Sequence, residues 1–118
     1  MISVLRVLLL KQQDSPSWSL VEGMMDQWVE RSKERRVVEG VERMTAFFRA
    51  VCGMTWVSGE TVQHCYGVLK TNSVSLGEGE REGQALYPLA SILSHSCRAN
   101  LEPVRQPGQT ISLRAKRR

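Results

Sequence analysis

The sequence predicts an α+β protein that is helical through residues 1–75 and β-rich in its last third. Two observations predict this class. Apolar residues recur at three- and four-residue steps through residues 18–69, which is the spacing of a buried helical face. Residues 101–115 instead contain two short alternating segments around Pro107-Gly108, a pattern typical of a β-hairpin. Residues 76–85, rich in Gly and Glu, predict an exposed loop between the two parts.

The first elements are predicted from an apolar opening and a proline break. The opening "MISVLRVLLL" predicts a short helix or a buried strand, and it is too short to span a bilayer, which needs about 20 apolar residues. Pro16 interrupts the chain, and Ser17 is a candidate cap for a helix that begins at Trp18 and continues through "ERSKERR". Glu30 and Glu34 alternate with the basic residues there, which favours a solvated helix face over a phosphate site.

Two further helices are predicted before the loop. The strongest periodic signal ends near Gly53, a plausible C-terminal cap. Ser58 is then a candidate N-cap, with Glu60 favourably placed in the first turn of the next helix. The apolar faces of these two helices are Val37, Val41, Met44, Phe48 and Val51, and Val62, Tyr66 and Leu69. We therefore expect about three to four helices before the loop.

Composition fits one small domain in a reducing compartment. The chain has 118 residues, of which 42% are hydrophobic and 24% charged, and these are ordinary values for a globular protein. The net charge of +4 owes much to the stretch 114–118, so nucleic acid is not an expected partner. Three cysteines without C-x-x-C spacing argue against a disulfide framework. We expect a cytoplasmic or nuclear protein without a signal peptide or a membrane partner.

The segment Ser94-His95-Ser96-Cys97 concentrates reactive side chains. A nucleophile needs its base beside it in space, which sequence neighbours rarely achieve, and no G-x-S-x-G elbow is present. A structural zinc ion needs four ligands, and the pair His64-Cys65 could complete such a set only through a long-range fold. We interpret that pair as ordinary residues of a helix. The residue types alone leave "SHSC" open between a polar turn and part of a site completed elsewhere.

Two segments of the chain resemble the SET-and-MYND-domain (SMYD) family of protein-lysine methyltransferases. "GVLKTN" is similar to the family's G-[IV]-[LM]-x-[TC]-N segment, and "LYPLASILSHSCRAN" to its L-Y-P-x-x-S-x-x-N-H-S-C-x-P-N segment. "LRVLLLK" also resembles the helix that opens the family's helical insertion. The matching positions are Gly67, Val68, Leu69, Thr71 and Asn72, and Leu86, Tyr87, Pro88, Ser91, His95, Ser96, Cys97 and Asn100.

The resemblance implies a fold, a cofactor and a partner. Residues 1–75 would be the helical SET-insertion region, and residues 86–118 part of the C-terminal SET core, with its N-H-S-C-type knot segment and a β-hairpin. SET enzymes bind S-adenosylmethionine on one face and admit a lysine of a protein substrate from the other. Catalysis there consists of aligning the neutral amine with the sulfonium methyl group.

The resemblance also implies roles for individual residues. Asn72 would contact the polar end of the cofactor, while Ser91 and Leu93 would line its pocket. Ser94 and His95 would belong to the cofactor knot, with His95 against the adenine portion. Cys97 would be a zinc ligand, completed by three cysteines of a C-x-C-x-x-C segment.

The departures from the family pattern are substantial. Ser94 stands where the family has Asn, and a hydroxyl offers fewer donors than a carboxamide; a lost buried partner costs about 1–3 kcal/mol. The glycine-rich cofactor strands, the MYND zinc cluster, the G-E-E segment, the catalytic tyrosine and the last cysteines are not in this sequence. We therefore expect a fragment of an incomplete SET fold, with no catalytic residue of its own and no activity alone. The alternative is a non-catalytic SMYD-like module that binds a protein partner.

Overall fold

Helices come first and strands last along the chain, as the sequence predicts. A computed structural model describes residues 1–76, 83–93, 100–106 and 110–116. Within these ranges the protein is α+β, with five α-helices followed by two antiparallel β-hairpins. The helices are α1 (Ile2–Gln12), α2 (Pro16–Glu22), α3 (Trp28–Arg31), α4 (Arg35–Ala50) and α5 (Gly59–Asn72). The strands are β1 (Val74–Leu76), β2 (Gly83–Ala85), β3 (Leu101–Arg105) and β4 (Ile111–Ala115).

The opening segment is a helix, and the cap of the next helix differs from the predicted one. The apolar opening forms α1 and not a strand. Ser15 is the N-cap of α2, since its side chain accepts a hydrogen bond from the Ser17 N–H at 3.3 Å. The prediction that Ser17 is the cap is wrong because Pro16 occupies the first helical position, where its fixed φ and missing N–H suit a helix start.

The prediction of a single helix from Trp18 through "ERSKERR" is wrong, because this stretch forms two separate helices, α2 and α3. Helix α2 ends at Glu22 with Gly23 as its cap, and residues 23–27 form a turn before α3. Gln27 adopts a left-handed conformation with φ 53°, which no continuous helix contains. The turn is held by contacts from α5 that no local pattern in the sequence reveals.

Helices α4 and α5 lie where the strongest periodic signals predict helices. Helix α4 ends at Ala50 with Val51 as its C-cap, so the predictions that Gly53 is the cap and that Val51 belongs to the apolar face are wrong; Val51 is 68% exposed. Gly53 follows with a positive φ of 65° that favours glycine. The N–H of Met54 then donates back to the Phe48 carbonyl at 3.0 Å, which closes the helix end. Ser58 caps α5 as predicted, because its hydroxyl accepts from the Thr61 N–H at 3.1 Å.

The strands form two hairpins where the sequence predicted one. β3 pairs with β4 in antiparallel register from Leu101↔Ala115 to Arg105↔Ile111, which confirms the predicted hairpin; its turn at 107–109 lies outside the described residues. The loop prediction over residues 76–85 is wrong at both ends, because Leu76 belongs to β1 and residues 83–85 form β2; the two strands pair from Val74↔Ala85 to Leu76↔Gly83. Residues 77–82 lie outside the described residues. These three-residue strands escaped prediction because the Gly-Gln-Ala composition of β2 has no preference for strands.

The hydrophobic core lies among the helices. Every buried hydrophobic side chain in the described part of the chain precedes β1, and the strands there contribute none. None of the helices described is long and apolar enough to cross a membrane. The buried core consists of Val4, Val7, Leu8, Val21, Val41, Phe48, Met54, Val57, Val62, Cys65, Val68 and Leu69.

Candidate functional site

Asn72 is the last residue of α5, where the helical part of the chain meets the strands. Its side-chain nitrogen Nδ2 donates to the carbonyl oxygens of Met25 and Val68, each at 3.0 Å. Both N–H bonds of the carboxamide are therefore used within the protein. Neither of these bonds involves the oxygen Oδ1, which is an acceptor. The half-buried carboxamide can contact a ligand only through that oxygen.

Ser91 brings the second motif against the first. It lies in a short 3-10 helix, Ala90–Ile92, that follows a turn at Pro88. The Ser91 hydroxyl has one proton, which the backbone carbonyl oxygens of Tyr87, at 2.9 Å, and of Asn72, at 3.4 Å, share as acceptors. Asn72 and Ser91, predicted as members of one site, are therefore adjacent in space.

The other predicted site residues are placed only in part. Leu93 follows the 3-10 helix with its backbone N–H bonded to the Ala90 carbonyl at 3.1 Å, and its side chain is 47% exposed. Ser94, His95 and Cys97 lie outside the described residues. Their predicted contacts to cofactor and zinc therefore stay predictions.

A cluster that the sequence did not predict surrounds the turn at residues 23–27. One oxygen of Asp26, Oδ1, accepts from the Trp28 N–H at 2.9 Å, and the other, Oδ2, lies 2.7 Å from His64 Nδ1. His64 Nε2 lies 3.0 Å from the Val21 carbonyl oxygen. Both ring nitrogens face acceptors, so only a doubly protonated imidazole can donate both bonds. The sequence interpretation of His64 as an ordinary helix residue missed this long-range pair.

The carboxyl group of Asp26 is held in its ionised form. Its partial burial opposes ionisation, but the Trp28 N–H and the His64 ring outweigh that effect and lower the pKa of Asp26 below 3.8. The ionised carboxylate caps the first backbone donor of α3 and pairs with a helix on the other side of the turn. Asp26 thus links α3 to α5.

Two further residues of the first motif contact the same turn. Gly67 leaves no room for a side chain, since an added Cβ would lie 2.5 Å from the Asp26 carbonyl oxygen. The Thr71 hydroxyl lies 3.5 Å from that same oxygen and accepts from Arg31 Nη2 at 3.0 Å. Arg31 also donates from Nε to the Asp26 carbonyl at 3.2 Å, so it is not the solvated surface charge that was predicted. The motif residues of α5 therefore hold the 23–27 turn.

The described cysteines provide no metal site. Burial of Cys65 in the core raises the pKa of its thiol to about 12, so it resists forming the thiolate that binds metal. Cys52 is exposed at the end of α4. No group of three metal-ligating side chains occurs in residues 1–76, 83–93, 100–106 and 110–116. Both residues of the pair His64-Cys65 belong to α5, with Cys65 in the core and His64 paired with Asp26.

Comparisons with protein-family models, with curated proteins and with solved structures yield no significant match for this chain. The resemblance to SMYD enzymes therefore stays a hypothesis that rests on the motifs. The geometry adds one fact to it. The two motifs, which are 19 residues apart at Asn72 and Ser91, meet through a hydrogen bond.

His64 and Cys65 do not form a base–nucleophile pair. His64 has both ring nitrogens engaged and Cys65 is buried, so neither pairs with the other as base and nucleophile. Asn72 is half-buried, and its two Nδ2 bonds leave the carboxamide oxygen as the group for a further contact. Such an oxygen suits a ligand that carries an ammonium or amide donor.

Proposed function

We propose that this chain carries the cofactor-side segments of a SET-domain protein-lysine methyltransferase, which transfers a methyl group from S-adenosylmethionine to a lysine of a protein. The observation that supports this function is the contact between Ser91 and Asn72. It joins two segments that separately match the SMYD motifs. In a cofactor site, residues from both segments have to face the same ligand.

Asn72 would hold the polar end of the cofactor. Because Nδ2 is used by the Met25 and Val68 carbonyls, the contact would run through Oδ1, accepting from the amino group of the methionine portion. Ser91 and Leu93 would border the pocket, and Ser94 and His95 would complete it. Cys97 would supply one of four zinc ligands. The proposed setting is the cytoplasm or the nucleus, where the cysteines stay reduced.

The 118-residue chain by itself would bind and not catalyse. The sequence has two tyrosines, Tyr66 and Tyr87, and both precede the "SHSC" segment, whereas the family's catalytic tyrosine follows it. Without that tyrosine and the glycine-rich strands, the lysine amine is not aligned with the methyl group. We expect no methyl transfer from labelled S-adenosylmethionine to a protein substrate.

The test is an NMR titration of the ¹⁵N-labelled chain with S-adenosylmethionine. We expect shifts of the Asn72 side-chain NH₂ signals and of the Ser91 and Leu93 amides, with Phe48 in the core unchanged. ATP is the matched ligand, because it shares the adenosine but lacks the amino-acid end. Equal Asn72 shifts with ATP, or none with S-adenosylmethionine, would contradict the proposal.

A non-catalytic module that binds a protein partner is the second candidate. Met25, in the 23–27 turn, is 69% exposed and Val29, just after it, is 77% exposed, so two apolar side chains lie on the surface there. Ser94 in place of the family's Asn also favours this candidate. The variant Ser94→Asn separates the two functions: improved binding of S-adenosylmethionine indicates a weakened cofactor site, whereas unchanged absence of binding indicates an interaction module.

A further inference from the structure

We propose that Asp26 is a positioning residue, which sets the orientation of the Asn72 carboxamide through the 23–27 turn. The inference rests on the proposed function, in which Asn72 contacts S-adenosylmethionine. It assigns a role to a residue outside both motifs. Asp26 lies 46 positions before Asn72 and contacts it only through the backbone of its neighbour Met25.

The first step is that four residues on one face of α5 contact the turn. His64, Gly67, Thr71 and Asn72 follow the i, i+3, i+7, i+8 spacing that aligns side chains on a helix. His64 pairs with the Asp26 carboxylate. Gly67, which has no side chain, allows the backbone of Asp26 to lie close to α5, and the Thr71 hydroxyl donates to the Asp26 carbonyl. Asn72 bonds to the preceding carbonyl, that of Met25.

The second step is that the turn fixes the side-chain torsions of Asn72. The bond to Val68 is internal to the helix and leaves the amide plane free to adjust. The bond to Met25 adds a second acceptor in another element, so that both N–H directions are defined. Once both are defined, the direction of Oδ1 is defined as well, because the carboxamide is planar.

The third step is that the turn does not hold this shape by local preference. Gln27 is left-handed, with φ 53°, a conformation that is unfavourable for a residue with a side chain. Met25 is exposed and adds no core packing that would keep the turn in place. The Asp26 carboxylate supplies two of the side-chain bonds that hold it, one to the Trp28 N–H and one to His64. Arg31 and Thr71 contact only the backbone carbonyl of Asp26. Removing the carboxylate should release Met25 and with it Asn72.

The test uses the complete 118-residue chain and the variants Asp26→Ala and Gly67→Ala. The first removes both bonds of the carboxylate, and the second places a methyl group where the Asp26 peptide now lies. In the free protein we expect the Asn72 NH₂ signals to lose their protection from solvent exchange, while circular dichroism still shows the helices. S-adenosylmethionine affinity should fall about tenfold, the equivalent of one lost hydrogen bond.

Matched controls separate positioning from general damage. Glu22→Gln removes a carboxylate that lines the same cavity as His64 but has no bond to the turn. Gly40→Ala adds a methyl group inside α4, where nothing lies within 4 Å. Both should leave the Asn72 signals and the affinity unchanged. Asp26→Asn keeps an acceptor for the Trp28 N–H and should restore part of the affinity.

The outcomes distinguish this inference from the function on which it rests. If the parent chain binds S-adenosylmethionine and both turn variants bind it equally well, Asp26 does not position Asn72, and the proposed function stands. If the parent chain shows no Asn72 shift with the cofactor, the proposed function fails and the positioning role fails with it. If Asp26→Ala and Gly67→Ala lose the Asn72 protection and the affinity for S-adenosylmethionine while the controls keep them, the result supports the proposed function and the positioning role.

Discussion

The helical part of the chain and its strands differ in how they are stabilised. Residues 2–72 contain every buried hydrophobic side chain of the described chain, and Phe48, Leu8 and Val62 are completely buried. In β4, by contrast, only Ile111 is partly covered, and residues 112–115 are exposed. The buried apolar surface that favours folding therefore lies among the helices in the described part of the chain. The candidate site lies at the boundary, where α5 ends.

The β3–β4 hairpin has an apolar face that the described residues leave open. A groove of about 390 Å³ separates the turn at Tyr87-Pro88-Leu89 from β4, and Leu89 is 73% exposed there. A two-stranded hairpin is marginally stable in water without a packed face. Changes in the hairpin should therefore affect the global free energy of unfolding little, in contrast to changes in the helices.

The largest expected effect is that of Phe48→Ala. The Phe48 side chain, on α4, is completely buried in the core, so its truncation should lower the free energy of unfolding by about 3–5 kcal/mol. Urea unfolding followed by circular dichroism measures it. The matched control is Phe47→Ala, because Phe47 is 38% exposed and makes an edge-to-face contact with Phe48 at 6.1 Å. Its loss should be about 1 kcal/mol, and equal losses would contradict a core confined to one face of α4.

Much of the helical architecture was predictable because its signals are local. In α4, Val41, Met44 and Phe48 follow a helical period, and the side chains at Val41 and Phe48 are the buried ones. The Ser58 cap of α5 was also predictable, since the serine and the backbone donor it serves are three residues apart. Such features depend on neighbours in sequence and need no knowledge of the fold.

The break between α2 and α3 was not predictable in the same way. The apolar period continues across it, and only Gly23 hints at an interruption. The turn forms because Asp26 pairs with His64, 38 residues further on, and because Gly67 leaves room for the Asp26 backbone. Contacts of that separation override a local helical pattern. A polar and small face on α5, at His64, Gly67 and Thr71, was the available signal.

The candidate site was predicted in part, and through resemblance more than through residue chemistry. The motifs named Asn72 and Ser91 together, and the structure places them in contact. They did not name Asp26, because it lies in neither motif. The contribution of Asn72 Nδ2 to holding the turn was also hidden, since sequence shows a donor but not where its acceptor lies.

The next largest effect concerns pH and the Asp26–His64 pair. Folding lowers the pKa of Asp26 below 3.8, so the native state holds the carboxylate more strongly than the unfolded chain does. The stabilisation is complete above the unfolded pKa and is lost as the pH falls through the lower folded value. Asp26→Asn keeps the acceptor for the Trp28 N–H but removes the charged partner of His64, so it should cost about 1 kcal/mol near neutral pH and progressively less in acid. Urea unfolding at a series of pH values measures the difference.

Glu22→Gln is the control for that series. Glu22 lines the cavity next to His64, together with Lys11 and Glu60, but has no bond to the turn. The free energy of unfolding of Glu22→Gln should differ from that of the parent chain by a constant amount over the same pH range. A constant difference between the parent and Asp26→Asn into acid would mean that the carboxylate charge does not hold the turn.

The smallest expected effect is that of Leu113→Ala, opposite Pro103 in the β3–β4 hairpin. Leu113 is 45% exposed, so its truncation should change the global free energy of unfolding by less than about 0.5 kcal/mol. Hydrogen exchange provides an independent measurement. In the parent chain the free energy of opening should be small for amides of β3 and β4, whereas amides of α4 and α5 should exchange only through global unfolding. A loss comparable with that of Phe48→Ala, or hairpin amides protected as well as those of α5, would place the strands inside the cooperative core and remove the distinction between the two regions.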